Sequence, residues 1–328
     1  MVRILVIGDP HFKVSGVLEH QEMIAAVLTT AKQQHPDIIV VLGDVLDRHE
    51  TIHVSPLTRA VDFLIELSTI TKTFVLIGNH DLKNNRQFLS KEHALIGLRY
   101  PNLTIVDTPT TEVLDDLLFV FCPYVPPGRF DEALDVVPNW SQATAIFAHQ
   151  EFYGANMDGL QSTDGDRWSL NRPLVISGHI HTFQILQPNL LYPGTPMQHN
   201  FGDDPNKGLS LFMFQKDQFI HTRLDLLLKK KIVLRTTRDT FESLDIPSNC
   251  HVKVCITCPV GSAKSLRKHP LIRRWISEKV LVTYAEEKET RKSYEGTAEK
   301  KIVNFTTTVL NHIRDDSFLV SIYQELCR

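Results

Sequence analysis

The chain has 328 residues, a formal net charge of -3, and 42% hydrophobic and 22% charged residues. That composition belongs to an ordinary globular protein and excludes disordered and fibrous classes. It carries no overall basic excess, so any contact with nucleic acid must come from local patches or from bound cations. No apolar run approaches the roughly eighteen residues of a membrane span, and Met1–Gly8 is too short for a signal peptide. Five cysteines (122, 250, 255, 258 and 327) are few and odd in number. They fit a reducing, intracellular setting: cytoplasm, or host cytoplasm or nucleus if the protein is viral.

The first third alternates apolar strands with helices. Residues 2–7 read as a buried strand, 18–34 as a helix with Leu18, Met23, Ile24, Val27 and Leu28 near helical spacing, and Ile38–Leu42 as a second strand after the break at Pro36-Asp37. Residues 56–69 are again helical and Thr73–Ile77 extended. Short continuous apolar runs of this kind suit a sheet covered by helices. Beyond about residue 100 the pattern is richer in strands: Leu117–Phe121, Ala143–Ala148, Leu174–Ser177, Gln184–Leu191, and a hairpin of Leu209–Phe214 and Phe219–Leu224. The fold class expected is mixed α/β (α+β), with two packed β-sheets flanked by helices in four layers.

Lys229-Lys230-Lys231 marks a junction. Residues 229–288 then read as a small α/β capping domain, with strands near Ile232–Thr236, His251–Cys258 and Val280–Tyr284 and helices near Thr240–Leu244 and Ala263–Ser277. Cys255 and Cys258 have zinc-like spacing. They lie on an alternating strand that points them to opposite faces, and no second pair of ligands accompanies them. From Ala285 to Lys292 the chain reads as a charged linker, and residues 297–328 as an amphipathic helical tail. The expected division is therefore 1–228, 229–288 and 289–328.

Five polar clusters carry the chemistry, each directly after a predicted strand: Asp9-Pro10-His11, Gly43-Asp44-Val45-Leu46-Asp47, Gly78-Asn79-His80-Asp81, His149, and Gly178-His179-Ile180-His181. Side chains at strand ends are held rigidly and converge on one edge of a sheet. Carboxylate, amide and imidazole donors without cysteine suit manganese, iron or zinc. Asp44 can bridge two ions, and the Asn79 amide oxygen completes a set able to hold two metals roughly 3.5–4 Å apart.

In this order the clusters resemble the signature of calcineurin-like metallophosphoesterases, over residues 9 to 181. The resemblance implies one divalent metal on Asp9, His11 and His181, a second on Asn79, His149 and His179, and Asp44 between them. Manganese is the expected metal, with magnesium, iron or zinc as alternatives. It also implies His80 as general acid, oriented by Asp47, and a metal-dependent hydrolase acting on ester bonds.

Ala148-His149-Gln150, Leu191-Tyr192-Pro193-Gly194-Thr195-Pro196 and Phe201–Leu209 are similar to segments of SbcD-type (Mre-eleven) DNA-repair nucleases, short phage and viral members included. That narrower resemblance implies exonuclease and endonuclease action in DNA double-strand-break repair or recombination. It further implies a cap that meets DNA, a tail that binds an SbcC-type SMC-like ATPase, and a homodimer formed through helices of the nuclease domain. A phosphatase or small-molecule phosphodiesterase of the same fold, or a non-catalytic scaffold, would be the alternatives. The basic residues available for DNA are Lys229–Lys231, and Lys264, Arg267, Lys268, Arg273 and Arg274 on the cap helix. Arg48 follows Asp47 as in phosphoprotein phosphatases, but His49 stands where those enzymes have glycine.

Overall fold

The computed structural model describes residues 1–287, apart from Asp158 and Asp217, together with Leu319. In chain order the elements are β1 (Val2–Ile7), α1 (Val17–Gln34), β2 (Ile38–Val41), α2 (Val54–Ile70), β3 (Lys72–Leu76), β4 (Leu103–Val106), β5 (Thr110–Leu114), β6 (Leu117–Phe121), α3 (Phe130–Leu134) and β7 (Ala145–Ala148). There follow β8 (Asn156–Met157), β9 (Leu160–Gln161), β10 (Leu174–Ser177), β11 (Gln184–Gln187), β12 (Leu190–Tyr192), β13 (Leu209–Gln215) and β14 (Gln218–Leu224). The last are β15 (Lys231–Thr237), β16 (His251–Cys258), α4 (Ala263–Leu266), α5 (Pro270–Ser277) and β17 (Leu281–Glu286). Residues 1–286 form one compact unit. The expected tail, Leu319 apart, lies outside the described residues.

Two six-stranded sheets make the body, in the orders β14-β13-β1-β2-β3-β4 and β11-β12-β10-β7-β6-β5. Strands β1 to β4 are parallel, as are β6, β7, β10 and β12. Alternation along each strand sorts side chains into layers. Ile4, Val6, Val40, Phe74, Phe119, Phe121, Phe147 and Phe212 fill the space between the sheets. Leu5, Ile7, Ile39, Val41 and Val75 face the opposite way, onto Met23, Val27 and Ala31 of α1 and Ala60, Phe63, Leu64 and Leu67 of α2. The buried residues of α2 recur at helical spacing, as a helix laid on a sheet requires. The second sheet turns Val120, Ile146 and Val175 outward. Its outer cover is thinner than a helix layer: α3 has five residues, and Phe152 and Trp168 from loops complete it.

Three expected elements take a different form. Gln184–Leu191 is not one strand: β11 and β12 pair antiparallel around a turn at Pro188-Asn189, because proline cannot continue the ladder. The helix expected over Ala263–Ser277 is split into α4 and α5. Pro270 opens α5, and His269 before it is extended (φ -61°, ψ 133°), since proline drives its predecessor out of helical geometry. The helix near Thr240–Leu244 is only a single tight turn, Phe241–Ser243. Ala285 and Glu286, assigned from sequence to the linker, instead end β17.

Residues 231–286 carry their own parallel sheet, β15-β16-β17, with a core of Val252, Val254, Ile256, Ile272 and Trp275. Cys258 lies in that core while Cys255 is half-buried on the other face, so the two thiols do not share a ligand.

Phe121 lies between the main sheets, stacked on Phe74 at 4.0 Å and Phe147 at 5.4 Å and fully buried. Phe121→Ala is expected to cost about 3–5 kcal/mol in denaturant unfolding. Val113→Ala, at a side chain 62% exposed, is expected to stay within about 0.5 kcal/mol.

Candidate metal centre

The parallel strands determine where the polar clusters meet. β1, β2 and β3 of one sheet and β7 and β10 of the other all end at the same edge of the sandwich, and each runs directly into one cluster. Hydrogen bonds zip the first two loops together: His11 N–H donates to the Asp44 carbonyl (3.0 Å), and Phe12 N–H to that of Val45 (2.8 Å). His179 N–H donates to Asp9 Oδ2 (2.8 Å), which ties the second sheet to the first.

Glycines allow this approach. A side chain at Gly78 would stand 2.2 Å from the Asp44 backbone nitrogen and Oδ1, and one at Gly178 would stand 2.5 Å from Asp9 Oδ1. The donors themselves carry strain. His11 (φ 45°), Asp44 (φ 45°) and His179 (φ 78°) occupy the left-handed region, at a cost on the order of 1–3 kcal/mol each. Such conformations persist where surrounding bonds over-determine them and tend to mark functional sites.

The seven expected donors come together in two groups. Asp9, His11 and His181 have ligand atoms within 4.8 Å of one another, and so do Asp44, His149 and His179. Asn79 joins the second group: its Oδ1 lies 3.0 Å from His149 Nε2 and 2.9 Å from His179 Nδ1. Asp44 Oδ2 faces both, 3.7 Å from His11 Nε2 and 3.4 Å from His149 Nε2. One carboxylate oxygen therefore stands where a bridge between two ions would be.

Chemistry and burial fit cations. Asp9 and Asp44 are 1% and 2% exposed, and Asp9 Oδ1 has no hydrogen-bond partner. Burial pushes the Asp9 carboxyl up to about 8 against the pull of His149, and Asp44 adds to the rise. Burial also opposes ionisation of Asp44, but His149, His11 and His80 hold it well below the usual carboxylate range. At His149, burial disfavours the charge, yet Asp44 and Asp9 outweigh it and raise the imidazole to about 9. The imidazoles around the two carboxyls, His149 first, offset the cost of their burial, a role that bound metal ions would take over. His149 Nδ1 donates to the Leu42 carbonyl (2.8 Å), leaving Nε2 as the ligand atom.

His80 lies beside the centre, half-buried, its ring edge-on to His11 at 5.1 Å. Its Nδ1 donates to the backbone carbonyl of Asp47 (2.8 Å). This corrects the expected role of the Asp47 carboxylate: the residue orients His80, but through its main chain. A neutral acceptor fixes the tautomer and leaves Nε2 to handle a proton. His49, which sequence reading set down only as a departure from a phosphatase pattern, stacks on His80 at 4.7 Å between centroids.

Three further residues were not singled out from sequence. Asp81 is buried and its carboxylate accepts from Gly78 N–H (3.0 Å), Val45 N–H (3.2 Å) and Leu46 N–H (2.9 Å), locking the Asp44 loop to the Asn79 loop. Burial, and then Asp44, push its carboxyl up to about 6. His199 donates from Nε2 to the Asp9 carbonyl (3.0 Å) and stands edge-on to His11. Glu151 lies 3.7 Å from His179 Nε2. Asp81 was legible, being the last residue of its cluster, whereas His199 has no motif of its own.

The basic positions divide. Lys264, Arg267 and Lys268 are exposed on the 231–286 segment, where the Arg267 guanidinium lies 5.5 Å from the Tyr284 ring centre. Lys231 is not a surface contact. Its side chain is 9% exposed, paired with Glu19 (2.6 Å) and donating to the His199 carbonyl (3.1 Å). Arg48 is exposed and makes no hydrogen bond or ion pair with other described residues.

The calcineurin-like phosphoesterase family model matches residues 2–183, the span that bears all the donors. The chain belongs to that family. It is 38% identical over 279 residues to a protein of Invertebrate iridescent virus 6 provisionally named phosphoesterase 244L, covering 82% of this chain and 99% of that one. It is 42% identical over 233 residues to one of Invertebrate iridescent virus 3, provisionally phosphoesterase 078R, covering 70% and 67%. It is 26% identical over 260 residues to exonuclease subunit 1 of Enterobacteria phage T4, covering 70% and 73%. Membership makes the chain a phosphoester hydrolase of a divalent-metal family. No helix among the described residues is long and apolar enough to cross a membrane.

Two outcomes test the centre. Saturating manganese, magnesium, iron or zinc is expected to raise the melting temperature, with a stabilisation that grows with ion concentration to about 2.7 kcal/mol at a hundredfold excess over Kd. Asp44→Asn is expected to abolish the effect, and a melting temperature indifferent to all four ions would rule out the site. Asp81→Asn, which removes an acceptor oxygen without touching a ligand, is expected to weaken metal binding about 10–100-fold by titration calorimetry. Unchanged affinity would reduce Asp81 to a role in packing.

Proposed function

We propose that the protein is a DNA phosphodiesterase of the SbcD type, with exonuclease and endonuclease activity in double-strand-break repair or recombination. The hydrolytic half of this reading rests on the paired donor clusters that share Asp44 Oδ2. The observation that carries the DNA half is the likeness to the phage T4 exonuclease subunit across most of both chains.

Two divalent ions, manganese by preference, would supply charge for the scissile phosphate and acidify a water. Asp9, His11 and His181 would hold one, and Asn79, His149 and His179 the other, with Asp44 between them. The remaining steps belong to the protein. His80, fixed by the Asp47 carbonyl and the His49 ring, offers Nε2 to the departing sugar oxygen and donates its proton there. The strand-end loops hold the attacking and leaving groups in line by positioning alone. Lys264, Arg267 and Lys268 would meet backbone phosphates and give affinity without sequence reading. An SbcC-type ATPase on the C-terminal tail, a homodimer and an intracellular site of action belong to the same proposal.

The deciding experiment is hydrolysis of single- and double-stranded DNA with manganese, comparing the native chain with His80→Ala. Cleavage by the native chain is expected, with kcat lowered about 10²–10⁴-fold in the variant while metal still binds. Turnover of small phosphate esters without cleavage of DNA would replace the nuclease by a phosphatase.

A further inference from the structure

Beyond the metal centre, the two loops that carry its first ligands do not diverge at once. Phe12 and Leu46 pair as an isolated parallel bridge, and Asp47 N–H donates to the Phe12 carbonyl (3.2 Å). Past that bridge the loops separate around a cavity of about 440 Å³, closed on its far side by the chain leading into α2. A volume of that size falls in the range of small-ligand sites, roughly 300–1,000 Å³.

Its walls combine three kinds of surface, and Lys13, whose ammonium donates to the His199 carbonyl (3.1 Å), and His53 also line it. Phe12, Leu46 and Pro56 form a buried apolar floor, with Val14, 57% exposed, at the rim. Arg48 stands at the opening with its guanidinium unpaired among the described residues. Asp47 supplies a carboxylate, and its carbonyl is the group that holds His80. The cavity and the proton donor thus share a residue, which places a ligand here next to the loop that holds His80.

This combination selects among occupants. A second phosphate would suit Arg48 but would be opposed by Asp47. A purely apolar group would leave both charges unmatched. A nucleoside satisfies all three surfaces: the flat base on the apolar floor, a base N–H or sugar hydroxyl on Asp47, and a neighbouring backbone phosphate on Arg48 at the mouth. We infer that this cavity is a nucleoside subsite, taking the base and sugar adjoining the scissile phosphate. The inference deepens the nuclease reading and rests on it for the natural substrate. Because stacking and a single carboxylate acceptor discriminate little among bases, such a subsite recognises nucleosides without reading sequence.

The test uses two chromogenic diesters with the manganese-loaded full chain: bis(p-nitrophenyl) phosphate, and the p-nitrophenyl ester of thymidine 5′-monophosphate. The native protein is expected to favour the nucleoside diester in kcat/KM by about tenfold or more. Val14→Trp and Thr51→Trp, at two exposed residues of the lining, fill the cavity from its rim and are expected to bring that ratio close to one. Melting temperature and manganese titration verify that each variant is folded and loaded. Arg48→Ala is expected to raise KM for a DNA oligonucleotide about tenfold more than KM for the nucleoside diester. A native ratio near one, or a ratio preserved in both tryptophan variants, overturns the subsite. Failure of the nuclease reading looks different: both small diesters would be turned over with the nucleoside preference intact, and DNA would not be cleaved.

Discussion

The structure is organised around two carboxylates brought close together in a place with little water. Asp9 and Asp44 are both almost fully buried, and among the described residues no lysine or arginine pairs with either. Charges so placed must be neutralised, and imidazoles surround them. His149 stands nearest the compensating role, with a raised pKa and one ring nitrogen committed to the Leu42 carbonyl. The left-handed backbone at three donors and the bare Cα of Gly78 and Gly178 serve the same end. They let the loops close over the carboxylates, and the cross-loop hydrogen bonds hold them closed.

The sandwich makes such crowding sustainable. Parallel strands from both sheets finish at one edge, so each sheet presents donors to a common point without long connections. Stacked phenylalanines between the sheets, Phe74 on Phe121 above all, resist the sliding that would separate the two sets. Around the centre, His80 is held by the Asp47 carbonyl and stacks on the His49 ring.

The segment 231–286 is joined to this centre through Lys231 and Gln198. Gln198 exchanges hydrogen bonds with the Lys231 backbone, and the Lys231 ammonium reaches the carbonyl of His199, whose ring bonds to Asp9. One member of a run of three lysines is therefore structural. Lys229 and Lys230 remain exposed, although in the sequence the three are indistinguishable.

By itself the sequence placed the polar clusters and the strands that carry them. Asp9, His11, Asp44, Asn79, His149, His179 and His181 each follow an apolar run whose period is unambiguous, and strand-end position is a local property of the chain. The same locality explains Leu117–Phe121, Leu174–Ser177 and His251–Cys258, whose boundaries in the structure match the apolar pattern residue for residue. What only the tertiary structure decided depends on groups distant in sequence or on the main chain. His199 touches Asp9 across 190 positions. Asp47 acts through a carbonyl that every residue type possesses, so its side chain could not announce the role. The closeness of the donors within each group, and the 3.7 Å and 3.4 Å from Asp44 Oδ2 to His11 and His149, follow from how two sheets pack. Periodicity records which face of an element is buried; it does not record what another element brings to meet it.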